Sequence, residues 1–326
     1  MLKRLYWLLT LSGCLLEAAD PDWPHIITAL AEQPDCLKLE RIAGGASNLN
    51  YALRVADEAY FLRMAPQHNC RLYADMAIEQ QVLAALAPLG VAPRCHHFDA
   101  SRRMLVAELI AHSDEEVDLR DQDVRQLVLQ AYRKIEDSGL TVARQFTPYT
   151  MVLQLLDVIN QLGCDPLPSP FVELALPHLR RIEAILSQQP RRTICHLDLH
   201  HKNILKSDGR IWLVDWEYAM TGHPYLVFAS MASIERWDDT EMEQWVIDYD
   251  NVATNEALQL LFLHRVAIDI FWSCWNHIQA NSSNLDSPFQ EWSLLFREAA
   301  VQRMLSEKLM QAYLSLEREH FPGGCF

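Results

Sequence analysis

The sequence has no Cys-x-x-Cys pair, although it carries eight cysteines, at positions 14, 36, 70, 95, 164, 195, 274 and 325. Scattered single thiols argue against a zinc framework and suit a reducing compartment. Basic side chains are scarce as well: 28 against 43 acidic ones leave a formal net charge of -15. That sign argues against sequence-independent binding to nucleic-acid phosphates and suits a cationic small substrate. After the amino terminus no stretch is long enough and free enough of charge to span a bilayer. There is no internal repeat, low-complexity tract or long flexible linker. What is present is an ordinary folded composition, half hydrophobic and 22% charged, in 326 residues. That length supports two lobes, each with its own core, and a cleft between them.

From Leu37 to Ile110 the chain reads as short strands with one helix. Tyr51, Leu53 and Val55 alternate with polar or small residues, Asp57-Glu58 supplies a turn, and Tyr60, Leu62 and Met64 alternate again, which describes a hairpin with one buried face. Arg63 then points to the opposite, unburied face. A helix from about Arg71 to Leu86 ends at Pro88 and Gly90, and a second hairpin around Asp99 to Arg103 leads into the strand Met104 to Ile110. Beyond Ile110 the apolar spacing is helical almost throughout, as in Val124-Leu127-Val128-Ala131 and from Leu258 to Gln279. Pro166 to Pro170 reads as an inter-helix loop. The expected class is α+β, with residues 1–110 as the smaller lobe and 111–326 as a larger, mainly helical one.

The exception in the helical part is His196-Leu197-Asp198-Leu199-His200-His201-Lys202-Asn203, followed by two strand-like runs around Ser207-Asp208-Gly209-Arg210 and then Asp215. Read as a hairpin with a four-residue loop, Lys206 pairs with Ile211, and Asn203 falls beside Asp215 at the open end. Phosphoryl transfer needs a carboxylate to orient or deprotonate an acceptor hydroxyl and oxygen ligands to hold magnesium on phosphates. Asp198 suits the first role, Asn203 and Asp215 the second, and Glu217 a further ligand or water-mediated contact. A zinc site on His196, His200 and His201 is the alternative, set aside because adjacent histidine side chains tend to diverge. Cys195 and His196 form no nucleophile dyad, since neighbouring strand residues face opposite sides.

Gly44-Gly45-Ala46-Ser47-Asn48 lies between the first two strands, where small residues let backbone amides approach phosphate oxygens and Ser47 or Asn48 adds side-chain donors. In the helix that follows, Leu72, Met76, Leu83 and Leu86 form one stripe, and Glu79 falls on it. A carboxylate on a buried stripe requires a cation, and Arg63 is the natural partner; such an ion pair positions a basic residue on ATP phosphates.

In this order, Gly-Gly-Ala-Ser-Asn, Leu-Arg, helix Glu, His-Leu-Asp-x4-Asn and Asp-Trp-Glu-Tyr-Ala, the chain resembles the choline/ethanolamine kinase and aminoglycoside phosphotransferase superfamily, from about Leu37 to Gln279. The resemblance implies a two-lobed protein-kinase-like fold, a small antiparallel β-sheet lobe plus a larger helical lobe. It also implies ATP and Mg2+ as cofactors and adenine bound near Glu108 to Ile110. Arg at 63 and the segment Phe271-Trp272-Ser273-Cys274-Trp275 are similar to choline and ethanolamine kinases, whose two Trp rings enclose the ammonium head. Trp272 and Trp275, three apart on one helix, suit cation-π contact. Glu235 resembles an acidic residue of that substrate pocket. Bacterial thiamine kinases share the Asp-Trp-Glu-Tyr-Ala pattern, and an aminoglycoside or other sugar is a third acceptor. One departure stands out: Pro224-Tyr225-Leu226-Val227 lacks the Asp that braces the catalytic loop in many relatives, which admits a pseudokinase-like nucleotide-binding protein.

Lys3-Arg4, the apolar run Leu5 to Leu11 and Leu11-Ser12-Gly13-Cys14 resemble a lipoprotein signal. The run is short and ATP chemistry needs an ATP-containing compartment. We therefore read the segment as an amphipathic helix on the small lobe and expect a cytoplasmic enzyme acting on a small-molecule alcohol.

Overall fold

A computed structural model describes residues 37–42, 48–55, 58–64, 73–99, 104–111, 117–283 and 287–320. Gly44, Gly45 and Ser47 and the amino-terminal segment lie outside them. The chain divides into two compact units, and neither is one continuous stretch.

The first unit is a five-stranded antiparallel sheet in the order β1-β2-β3-β5-β4. Its strands are β1 (Leu37–Ile42), β2 (Leu49–Val55), β3 (Glu58–Met64), β4 (Cys95–Asp99) and β5 (Met104–Glu108). The alternation in β2 and β3 holds at Leu53, which pairs with Tyr60, and at Leu62, all buried with Val106, but Tyr51 and Met64 are only half-buried and Ala52 on the opposite face is buried too. β5 stops at Glu108, short of the expected Ile110. The helix α1 (Met76–Leu86) begins later than its periodicity suggests, since residues 73–75 are not helical. It is closed by a 3-10 turn containing Pro88 and by Gly90, whose φ of 68° is the left-handed end a glycine accepts without strain. Val82, Leu83 and Leu86 bury one face of it.

The hairpin β7 (Ile204–Ser207) and β8 (Arg210–Leu213) falls mostly in this unit. Its connection is shorter than the four-residue loop expected: Asp208 and Gly209 alone turn the chain, both with positive φ, 50° and 71°. That pair of angles belongs to the two-residue turn whose twist matches the strands on either side. The Leu213 N–H donates to the Val91 carbonyl and ties the hairpin to the loop after α1.

The second unit is helical: α2 (Gln122–Asp137), α3 (Pro148–Leu162), α4 (Ser169–Leu186), α5 (Tyr225–Ile234), α6 (Asp239–Asp250), α7 (Asn255–Ser282), α8 (Phe289–Met304) and α9 (Glu307–His320). Local chemistry sets several ends. Asp121 caps α2 by accepting from the N–H groups of Asp123 and Val124, and Asp238 with Glu241 forms a reciprocal capping box on α6. The expected Pro-rich loop is shorter than drawn, because Pro170 already sits in the first turn of α4.

α7 is the hub against which α3, α4, α5, α6, α8 and α9 all pack. Contrary to the reading that no stretch after the amino terminus could span a bilayer, it is, among the described residues, the one helix long and apolar enough to do so, and nearly all of that stretch is buried against its neighbours. Two three-residue strands, β6 (Thr193–Cys195) and β9 (Met220–Gly222), pair antiparallel and carry the segments on which the candidate site is built.

Candidate active site

The loop leaving β6 is shaped residue by residue. His196 is fully buried, its ring 4.5 Å from that of Trp216, and its carbonyl accepts the Asp198 N–H at 2.9 Å. Between them Leu197 takes a φ of 64°, a conformation a bulky L-residue avoids. The turn is braced from outside, since the Ser230 hydroxyl of α5 donates to the Leu197 carbonyl. Asn203, nearly buried, donates from Nδ2 to the Asp198 carbonyl at 2.8 Å and closes the loop over five residues.

Asp215 arrives with a φ of 67° and opens a 3-10 turn, Trp216–Tyr218, in which Glu217 is buried. The Glu217 carbonyl accepts the Asp75 N–H at 2.9 Å. Burial pushes the Asp198 carboxyl well above its ordinary range, and the nearby carboxylates of Asp215 and Glu217 push it further. Three acidic groups and an amide are therefore gathered in one unit, close enough for their charges to oppose one another. All their donor atoms are hard oxygens, the set that magnesium takes.

His200 and His201 depart from the expectation that neighbouring histidines diverge. Their rings lie 5.6 Å apart at 74°, and with Glu235 they bring three ligand-type atoms within 4.8 Å of one another. The tertiary fold overrides the local preference, because Glu235, at the end of α5, accepts both the backbone N–H and the ring Nδ1–H of His201 at 2.8 Å. Burial, then the proximity of His201, lowers the His200 ring to about 4. Glu235 thus already serves His201 before any ligand binds.

Trp272 and Trp275 are nearly buried on α7 with centroids 5.4 Å apart, and Tyr218 sets its ring 5.6 Å from the first and 6.1 Å from the second. Tyr218 escaped the sequence reading as a site residue, although it sits inside the Asp-Trp-Glu-Tyr-Ala segment that drew attention. Ser230 escaped it too, and no local signal marks a serine in an apolar helix as a brace.

In the sheet unit Arg63 and Glu79 form a buried ion pair. Arg63 is only 3% exposed, so at this position the face of β3 read as unburied is covered, while Ala59 and Phe61 on it are half-buried. Burial is tolerable there because the carboxylate neutralises the guanidinium. Asn48 is buried, Ile110 is buried, and Glu108 is exposed, its N–H donating to the Arg94 carbonyl at 2.8 Å.

Solved structures share this architecture. A choline/ethanolamine kinase family protein from Mesorhizobium loti matches with a TM-score of 0.68 at 20% identity, over 86% of this chain and 92% of its own. The choline kinase LicA from Streptococcus pneumoniae gives 0.68 at 20% identity, over 86% of this chain and 98% of its own. A thermostable mutant of an aminoglycoside phosphotransferase, in ternary complex with AMP-PNP and hygromycin B, gives 0.58 at 17% identity, over 86% and 98%. At such identities the likeness establishes the fold, which is the protein-kinase-like one. The family itself rests on a different finding, a match of residues 38–261 to the model described as the phosphotransferase enzyme family. That match runs from the first strand of the sheet into the hub helix and takes in Arg63, Asp198, Asn203 and Asp215, and so this chain belongs to the phosphotransferase enzyme family.

Proposed function

We propose that the protein moves the γ-phosphate of ATP to the hydroxyl of a small cationic alcohol, choline or ethanolamine first, thiamine second, and an aminoglycoside or other sugar third. The observation that carries this reading is the crowding of Asp198, Asp215 and Glu217 with Asn203 on one braced loop system. Repulsion among those carboxylates is what a divalent cation relieves, so the residues fit magnesium, with Asn203, Asp215 and Glu217 as its ligands. Magnesium bound there would neutralise charge on the transferring phosphates.

Asp198 takes the part of the base. Its carboxylate orients the acceptor hydroxyl and receives its proton as that oxygen bonds to phosphorus and the bond to ADP breaks. Arg63, held by Glu79, together with Gly44, Gly45, Ser47 and Asn48, is assigned to the phosphates, and Glu108 and Ile110 to the adenine. The acceptor's positive charge is assigned to Tyr218, Trp272 and Trp275, whose ring faces attract an ammonium, with Glu235 adding negative charge. The net charge of -15 favours such an acceptor over an anionic one. ATP chemistry also assigns the enzyme to the cytoplasm.

The missing Asp near Val227 does not leave the loop unsupported, because Ser230 reaches the Leu197 carbonyl instead. The test measures ADP release with magnesium ATP across choline, ethanolamine, thiamine and sugars, in the wild type and in Asp198→Ala. We expect turnover with a cationic alcohol and a loss of about 10²- to 10⁴-fold in the variant, with its thermal melt unchanged. Turnover retained in Asp198→Ala would refute the assigned base. Silence with every acceptor, despite ATP binding, would mark a nucleotide-binding protein without catalysis.

A further inference from the structure

His200 and His201 have no part in the phosphotransfer scheme, yet they cluster with Glu235, which that scheme assigns to the acceptor. Two imidazoles and a carboxylate are the donor set of zinc sites with three protein ligands and one open position. Their ligand atoms already lie within 4.8 Å of one another. In a filled tetrahedral site donors about 2.0 Å from the ion stand roughly 3.3 Å apart, so closure asks for side-chain adjustment only. Access is open, with the side chains of His201 and Glu235 29% and 14% exposed. Orientation is partly set before any ion arrives, since Glu235 holds His201 through both its backbone and ring N–H groups. His200 presents a lone pair at Nδ1, which the Lys202 N–H approaches at a long 3.3 Å. The Lys202 side chain is exposed, so its repulsion toward a cation is screened by solvent.

We propose that His200, His201 and Glu235 bind a zinc-class divalent ion, separately from the magnesium ligands assigned above, and that the ion inhibits the enzyme by withdrawing Glu235 from the acceptor. The ion takes the place of the Nδ1 proton between the His201 ring and Glu235, and that proton moves to Nε2, so that a neutral imidazole and a carboxylate become ligands. The inhibitory clause rests on the kinase reading; the binding clause does not.

Calorimetry with zinc chloride on the EDTA-treated full chain, without ATP or magnesium, tests binding independently of turnover. One zinc per chain is expected, with affinity at least tenfold weaker in His201→Ala and Glu235→Gln and unchanged in Asp215→Asn. A thermal melt of each variant, with His201→Asn as a milder replacement, guards against loss of fold. Absence of stoichiometric zinc, unaltered affinity in the folded His201 variants, or loss of binding in Asp215→Asn would each overturn the site. In the magnesium ATP reaction, zinc should raise the acceptor KM in the wild type and much less in His201→Ala. Equal sensitivity in both would overturn the inhibitory role while leaving the binding result to stand by itself. If no acceptor turns over at all, the kinase reading fails and calorimetry still decides the site.

Discussion

Leu197, Asp215 and Arg236 have φ values of 64°, 67° and 59°, and each is, or directly adjoins, a residue singled out for chemistry. Left-handed backbone at such residues costs on the order of 1–3 kcal/mol and persists only where surrounding contacts over-determine it. Ser230 supplies one of those contacts at Leu197. Asp198, Asn203 and Asp215 could be singled out from sequence because the roles proposed for them demand particular chemistry at a spacing a single hairpin can deliver. Tyr218 was not, since a tyrosine one residue beyond an acidic one reads equally well as core. Replacing Trp272 by Leu keeps the site apolar but removes a π face worth about 0.5–2 kcal/mol to a bound ammonium. We expect the acceptor KM to rise roughly 2- to 30-fold, with the ATP KM little changed; steady-state kinetics with each substrate varied in turn provide the check. An equal rise in both would assign Trp272 to packing.

Elements of three or four residues carry too little pattern to be paired from sequence. Cys195 and its neighbours read as strand, but β9, Met-Thr-Gly, carried no strand signal at all, so the pairing of the two could not be read from sequence. Gly222 shows how tightly β9 packs. A Cβ there would stand 2.8 Å from Leu226 Cδ2 and 3.4 Å from Cys195 Sγ, and both neighbours are completely buried. Gly222→Ala should therefore destabilise the protein by about 1–3 kcal/mol through overpacking, although alanine is the better strand former. The urea midpoint reads this directly, and an unchanged midpoint would show that Leu226 has room to swing. By contrast the turn at Asp208-Gly209 was legible in kind, because its composition demands positive φ; only its length was misjudged.

At the scale of the whole molecule, the core of the helical unit contains histidines that must stay uncharged. His264 on α7 bonds through its ring Nδ1 to the Leu260 carbonyl at 2.7 Å, stacks on Phe146 and leans on His223. Burial lowers its ring to about 4 from an ordinary 6.5, and burial followed by the proximity of His264 lowers His223 as well. The unfolded chain therefore binds protons first. This contribution is complete above pH 6.5 and is lost as the pH falls from 6.5 toward 4, in total on the order of 3 kcal/mol for His264. Urea midpoints at pH 7.5, 6 and 5 should fall in that order, and His264→Phe should flatten the slope, while His223, His200 and His178, lowered as well, keep part of it. An unaltered slope in the variant would remove His264 from the account.

The chain by itself determined which groups are available: clustered carboxylates and an amide with magnesium-type oxygens, and a buried Arg63–Glu79 pair, follow from residue types at spacings that hairpins and helices impose locally. Periodicity likewise determined that a β-rich segment precedes a helical one. Only the tertiary structure decided what long-range packing must supply: that Glu235 reaches back to His201, that Ser230 braces Leu197, and that Tyr218 joins the two tryptophans. The hub helix explains the difference. With nearly every residue of α7 enclosed, no apolar stripe distinguishes one face from another, so its sequence could specify burial but not which neighbour each side chain would meet.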